Sequence, residues 1–475
     1  SLSAVISKDG SDRAHYLVKK LIDETYKEGS HKPLTRITPY INTISPEHEP
    51  KSPGDQNIER KIGPKFGESY KVSQNKFKAR LYEDQIDFDR MRMYRLNRVR
   101  EQLLNNDIGA CILFDPINIR YATDTRNMSV FSFHLMTRYV FIPASGPVIL
   151  FEYPKCEHIY ENNCTIDEVR SVINWDFFSQ GNNVYQKASE WAKTVDELMK
   201  KYSSDNKNLA IDVCNPVGIN ALNDRHKYKL FNAQQYLEIA RSIKSKDEIV
   251  CLKASVKTAE MGASLMHEKL QANMTEEELW AYLYKTNIEN GGEWIETRLL
   301  TSGPRTNPWF QECNNRIIQK GDLIAFDTDM VGPYGYCADI SRTFVEGGKL
   351  NEEQKKLHDL AYENIKYNEE LIKPGVSFRE FAEKAWKLPD NCFDNHYPCQ
   401  VHGVGMCDEW PFIPYPDKDY SNGDYSGVFE ENMVICVESY IGEVGGKQGV
   451  KLENQYLVTN NGLELFNSTL PLKMV

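Results

Sequence analysis

Residues 321–344, GDLIAFDTDMVGPYGYCADISRTF, limit the fold more than any other stretch of this sequence. Two apolar, strand-like runs flank the turn Val331-Gly332-Pro333-Tyr334-Gly335, yet they carry Asp327, Asp329 and Asp339. Residues two apart on a strand share a face, so Asp327 and Asp329 are expected to project together. A hairpin centred near Pro333 sets Asp339 across from them, with facing Cβ atoms about 4.5–5.5 Å apart. Carboxylates that close repel one another unless a cation lies between them.

A second hairpin repeats the logic. Glu438 ends MVICVES, Glu453 lies in GVKLENQY, and Gly442, Gly445, Gly446 and Gly449 fill the loop. The two glutamates are symmetric about the point between 445 and 446, so a regular hairpin brings them face to face. Both strands are apolar, and a carboxylate buried there without compensation costs several kcal/mol. Metal coordination supplies that compensation. His402, in VHGVGMCDEWP, adds an imidazole beside glycines that allow close backbone approach. Taken singly, a strand aspartate is more often a solvated face, and a histidine among glycines is more often structural. Taken together, Asp327, Asp329, Asp339, His402, Glu438 and Glu453 form an oxygen-rich set with one nitrogen, suited to Mn, Fe, Co or Zn.

The rest of the chain frames this centre. Its 475 residues suggest two or three domains, and the 26 Tyr, 20 Phe and 7 Trp are ample for large cores. A net charge of −11 with both signs interspersed argues against a nucleic-acid groove. No window reaches ~18 consecutive apolar residues, so no membrane partner is expected. The eleven cysteines are scattered without CxxC spacing, and the N-terminus lacks an apolar signal core, which points to a reduced, cytoplasmic protein.

Residues 1–85 read as an irregular N-terminal arm, punctuated by Pro33, Pro39, Pro46, Pro50, Pro53 and Pro64, with a helical look only in pieces such as His15 to Glu28. Such a segment cannot build its own core, and is either a tail or an arm laid over another surface. Residues 86–240 alternate helix and strand, an α/β pattern. The helix MRMYRLNRVREQLLNN places Met93, Leu96, Val99 and Leu103 on one stripe. Residues 241–475 mix helices with antiparallel hairpins, an α+β pattern. Thr275 with Glu278, and Ser377 with Glu380, read as helix caps.

From about residue 86 onward the chain resembles the metallopeptidase clan of methionine aminopeptidase, prolidase, aminopeptidase P and creatinase, with the specific motifs between 300 and 455. The resemblance implies a C-terminal pita-bread metal-binding domain preceded by a smaller α/β domain of creatinase type. It also implies an Asp–Asp–His–Glu–Glu set holding two metal ions. The clan's aspartate pair is eleven apart, whereas Asp339 is twelve from Asp327 and ten from Asp329, so the choice of primary ligand between those two stays open. The peptidases carry a histidine after a G…N…P stretch. Here the stretch is GPRTNPWF, and Trp309 holds that place. They also carry His-Glu-x-Pro after the metal histidine. Here it reads Asp408-Glu409-Trp410-Pro411. A chain that keeps the metal cradle and loses both histidines is poorly equipped for amide hydrolysis.

One branch fits more closely, the dimethylsulfoniopropionate (DMSP) lyases of the DddP type. The likeness is carried by SGPRTNPWFQEC, FDTDMVGPYGYCADISRTF, NHYPCQVHGVGMCDEWP and FDPINIRYATDTRNMSVF. It implies a small zwitterionic substrate, two iron ions on the six ligands, Asp408 as the base, and Tyr397 in the pocket. Trp309 and Phe131 are further candidates for the sulfonium wall; Phe131 stands where the family leads us to expect a tryptophan. A homodimer is implied by the clan. Arg342 is expected to brace the carboxylate cluster, while His134, His358 and His396 take no role, His358 lying on an exposed-looking helix. Two rival readings are a dipeptidase or other C–N hydrolase, which needs His396 or His134 at the metals, and a non-catalytic binding module, which would be expected to lose the ligands.

Overall fold

The computed structural model describes residues 2–27, 78–160, 163–225, 228–418 and 420–473. The chain divides into two compact units, Ser1–Arg60 and Lys61–Val475. The first contains helices Leu2–Asp9 and Ser11–Lys27, separated by Gly10 at φ +86°, a left-handed conformation that no regular helix holds. Helix thus begins earlier than the sequence reading placed it. Residues 28–77, most of the expected irregular arm, lie outside the described residues.

The second unit opens with a six-stranded mixed sheet, in the order Glu168–Ser171, Ile149–Glu152, Tyr139–Pro143, Ala110–Leu113, Asn208–Ile211, Lys229–Asn232. Its central strands are short, continuously apolar runs because both faces are covered. Ala110, Ile112 and Phe141 pack on one side against Trp191, Val195 and Leu198 of helix Val184–Tyr202. Cys111, Leu113 and Val140 pack on the other against helix Phe88–Asn105. On that helix Leu96, Val99 and Leu103 are buried, but Met91 joins them in place of Met93, which is 36% exposed. The stripe advances in fours through 91, 95, 99 and 103, and Met93 falls off it.

The same core continues into the second half of the chain. Met91, Val99 and Tyr121 cluster with Cys251, Tyr334, Val404 and Cys436. There a five-stranded antiparallel sheet runs Asp408–Pro414, Cys399–Val404, Val434–Gly442, Gly449–Thr459, Gly462–Leu465. A three-stranded sheet joins Ser341–Val345, Leu323–Asp327 and Leu300–Ser302. Helices Lys246–Lys269, Glu276–Glu289 and Glu352–Leu371 open on capping boxes at Ser245, Thr275 and Asn351. Ser377 caps only a short helix, Phe378–Lys384. His358 is buried on helix Glu352–Leu371 with Leu357, Ala361 and Ile365, not exposed as the sequence suggested. Among the described residues no helix is long and apolar enough to cross a membrane.

Candidate metal centre

The first acidic hairpin is centred one residue later than the sequence pattern implied. Asp327 pairs with Ser341, and Met330 with Ala338. Continuing that register sets Asp339 opposite Asp329, while Asp327 faces the Ser341 hydroxyl. Tyr334 at φ +63° and Gly335 at φ +74° make the turn. Asp329 itself has φ +35°, so it ends strand Leu323–Asp327 and sends Met330–Val331 to pair with Trp294–Ile295 instead. Asp327 and Asp329 therefore do not share one strand face. Thr328 spans the gap between the two sheets, donating to Ala338 O (2.8 Å) and accepting from Ile340 N–H (3.0 Å). The break nonetheless converges the acids: Asp327, Asp329 and Asp339 offer oxygens within 4.8 Å of one another.

The second hairpin is regular. Glu438 faces Glu453, and His402 on the neighbouring strand faces Cys436. His402 Nε2 lies 3.2 Å from Glu453, 3.4 Å from Glu438 and 3.5 Å from Asp339. Two further groups offer ligand atoms within 4.8 Å of one another: Asp339–His402–Cys436–Glu453 and Asp327–Glu438–Glu453. Glu453 belongs to both. All six residues named from the sequence are buried at this one place. Five carboxylates and an imidazole, overlapping in shared oxygens, fit a pair of neighbouring divalent cations in donor type and in charge.

One residue at the heart of the cluster was missed. Lys451 is fully buried, with Nζ 2.7 Å from Glu438, 3.0 Å from Asp327 and 3.2 Å from Glu453. The signal was present: Lys451 lies two residues before Glu453 in an apolar strand, hence on the same face. Burial alone would strip the ammonium of its proton, but the charges of Asp327, Glu438 and Glu453 outweigh it and keep Lys451 charged. Burial raises Glu438 to about 7, with Lys451 opposing. Burial and mutual repulsion push Asp329 and Asp339 well above the usual carboxylate range. Glu453 goes the other way: Lys451 and His402 overcome its burial and hold it well below that range. The cluster has more negative charge than one lysine balances.

The candidate pocket residues are not equivalent. Lys451 Nζ lies 4.3 Å from the ring centre of Tyr397 and 6.0 Å from that of Trp309, which places both rings beside the cluster. Tyr397 also stacks on Phe310, with ring centres 5.1 Å apart. Asp408 starts strand Asp408–Pro414, 3.8 Å from His402 Nδ1. Its side chain keeps 47% of its accessible area, yet surrounding protein raises its carboxyl above the ordinary value against the pull of His402. That combination marks a group on a pocket wall. Phe131 is not brought to the cluster by any contact seen; its ring meets His134, and its short helix reaches the second half through Phe133, edge-on to Trp294.

Three other residues named from the sequence can also be placed. Arg342 donates to the main-chain oxygens of Pro471, Ser341, Glu453 and Leu470 and to Asn454, so it braces strand backbone and not the carboxylates. His396 packs on Phe393 and Tyr415. His134 packs on Phe131, so neither ring contact puts a spare imidazole at the carboxylates. Glu296 was not singled out from the sequence. Its N–H donates to Asp329 O at 3.0 Å, and burial together with Asp408 raises its carboxyl to about 7.

Comparison with known proteins places this geometry. Residues 251–460 match metallopeptidase family M24. The chain is 38% identical over 388 residues to dimethylsulfoniopropionate lyase DddP of Roseovarius nubinhibens, covering 80% of this chain and 86% of that one. It is 36% identical over 392 residues to the protein of the same name from Roseobacter denitrificans, again covering 80% and 86%. Among solved structures, Xaa-Pro dipeptidase from Bacillus anthracis superposes with a TM-score of 0.64 at 19% identity, over 81% of this chain and 99% of that one, a likeness of fold.

Proposed function

The chain belongs to the DddP family of dimethylsulfoniopropionate lyases, with a pita-bread metallopeptidase-like fold, and from that premise we propose that it cleaves DMSP to dimethyl sulfide and acrylate. Asp408, an accessible carboxylate 3.8 Å from His402, carries this reading. It stands in the place where the peptidases of the clan carry a histidine.

The reaction asks for a base, a sink for negative charge, and a seat for a cation. Asp408 takes the proton from the carbon next to the substrate carboxylate; the C–H electron pair becomes the new double bond, and the C–S pair leaves with dimethyl sulfide. A carboxyl held above the usual aspartate range is a better base than a solvated one. Divalent ions on Asp327, Asp329, Asp339, His402, Glu438 and Glu453 would supply Lewis-acid stabilisation of the substrate carboxylate. The ring of Tyr397, 4.3 Å from Lys451 Nζ, stands beside that cluster. At the outer side, Glu296 and Asp408 interact through their like charges, and together they favour the sulfonium end of a zwitterion. A ring such as Trp309 adds about 0.5–2 kcal/mol where it faces a desolvated cation.

We extend the proposal to two ions because five carboxylates stand against one lysine, and to iron first because the DddP resemblance implies it. A homodimer and a cytoplasmic setting rest on the clan resemblance and on the scattered cysteines. The hydrolase reading lacks an imidazole besides His402 among the contacts described at the cluster. Incubating metal-loaded protein with DMSP and, separately, with a panel of X-Pro dipeptides separates the two. Headspace dimethyl sulfide with intact dipeptides is the expected result; cleaved dipeptides without sulfide would overturn it.

A further inference from the structure

The two glutamates of the centre are held from opposite sides. His402 Nε2 approaches Oε1 of both, at 3.2 Å for Glu453 and 3.4 Å for Glu438. Lys451 Nζ approaches Oε2 of both, at 3.2 and 2.7 Å, and adds Oδ2 of Asp327 at 3.0 Å. A fourth acceptor, the Ser341 hydroxyl, lies 2.9 Å from the ammonium and 2.7 Å from both Asp327 and Glu453. An ammonium has three N–H donors, so Lys451 is fully satisfied here. Its main chain is pinned as well: Lys451 N–H donates to Thr343 Oγ1 (3.0 Å), which donates back to Lys451 O (2.9 Å).

The oxygens taken by Lys451 are those of Asp327, Glu438 and Glu453, one of the groups able to hold a cation. The group built on Asp339, His402, Cys436 and Glu453 meets Lys451 through Glu453 alone. We propose that Lys451 is a tethered counter-cation, a positioning residue that shares its oxygens with one of the two cation positions and makes the centre fill in unequal steps. The inference rests on the reading of this cluster as a metal centre. On the His402 side an ion meets carboxylates and an imidazole that ligates in its deprotonated, neutral form. On the Lys451 side it meets the same negative groups already partly neutralised, with a fixed positive charge about one hydrogen-bond length from each oxygen. Before any ion enters, Lys451 holds three mutually repelling carboxylates at ligand spacing; afterwards it limits how strongly the second ion is held.

The test is calorimetric titration of manganese(II) alone into metal-stripped wild type, Lys451→Met and Lys451→Arg, with metal content and melting temperature measured on the same samples. Wild type is expected to bind in two steps separated by at least about tenfold, the scale on which one nearby unit charge acts. Lys451→Met tightens the second step by about tenfold or more and melts lower when metal-free. Lys451→Arg keeps the charge and keeps the two steps apart. A purely structural lysine predicts a lower melting temperature with the second step unchanged or weaker, and that result overturns the proposal. Two equal steps in wild type also overturn it while leaving the metal centre standing. No bound manganese in wild type sinks both. If Lys451→Met cannot be recovered folded, the wild-type and Lys451→Arg isotherms decide, since either one filling in equal steps contradicts the idea.

Discussion

Buried charge is handled in two ways in this protein. Around the six-stranded sheet, Asp124 and Glu152 have guanidinium partners. Asp124 takes Arg92 at 2.7 Å and Arg95 at 2.9 Å, and Glu152 takes Arg138 at 3.0 Å. Burial works against the charged form of Asp124, but Arg95 and Arg92 outweigh it and hold the carboxyl well below its usual range. In the second half, five carboxylates converge on one lysine and one histidine, and most of them are pushed up instead. The first arrangement is complete within the chain. The second is stable as charged groups only when further cations arrive, and that difference separates a structural ion pair from a site built to receive a ligand.

The same chemical change should therefore have opposite consequences in the two regions. Asp124→Asn leaves Arg95 buried without its ion-pair partner, and Arg92 with Asp89 alone, and should cost about 3–5 kcal/mol in denaturant unfolding, with or without metal. Asp329→Asn, in metal-free protein, removes a charge that burial, Asp327 and Asp408 already disfavour, and should leave stability equal or higher. A loss at Asp329 as large as at Asp124 would erase the distinction.

Metal addition sharpens it next. At about 100 times its dissociation constant, a divalent ion should stabilise wild type by about 2.7 kcal/mol per site. Asp339→Asn should lose most of that gain, whereas Asp124→Asn should show the full increment above its lower baseline. Differential scanning calorimetry with and without manganese reads both.

The smallest effect is a pH dependence of affinity. Glu438 must be charged to bind an ion, and its carboxyl sits at about 7 in the metal-free protein. Below that value binding has to expel a proton from Glu438, so affinity should fall by at least about tenfold per pH unit between 7 and 6, the raised carboxyls of Asp329 and Asp339 adding to the slope. A flat profile would mean that Glu438 is not among the ligands.

Much of the centre was legible because strand alternation and loop symmetry are strict rules. Glu438 and Glu453 face each other as the symmetry of their loop requires. The first hairpin was read one residue off because its turn sits at Tyr334 and Gly335, both at positive φ, a placement that no apolar pattern announces. Met93 and His358 were misplaced for a shared reason: a helix with a mixed surface offers several plausible stripes, and tertiary packing chooses between them. Arg342 was given carboxylates as partners, yet its fan of donors meets main-chain oxygens, which leave no mark in a sequence. Lys451 followed from the same alternation that revealed Glu453. It was passed over because a lysine on a strand ordinarily reads as solvated.

The most direct test of the central claim is dimethyl sulfide release from DMSP by wild type and Asp408→Asn at equal, measured metal content. With Asp408 as the base, the variant should keep its metal and lose activity by about 10²–10⁴-fold. An Asp408→Asn protein that binds metal normally and still releases dimethyl sulfide at a comparable rate would contradict the account and move the base elsewhere in the pocket.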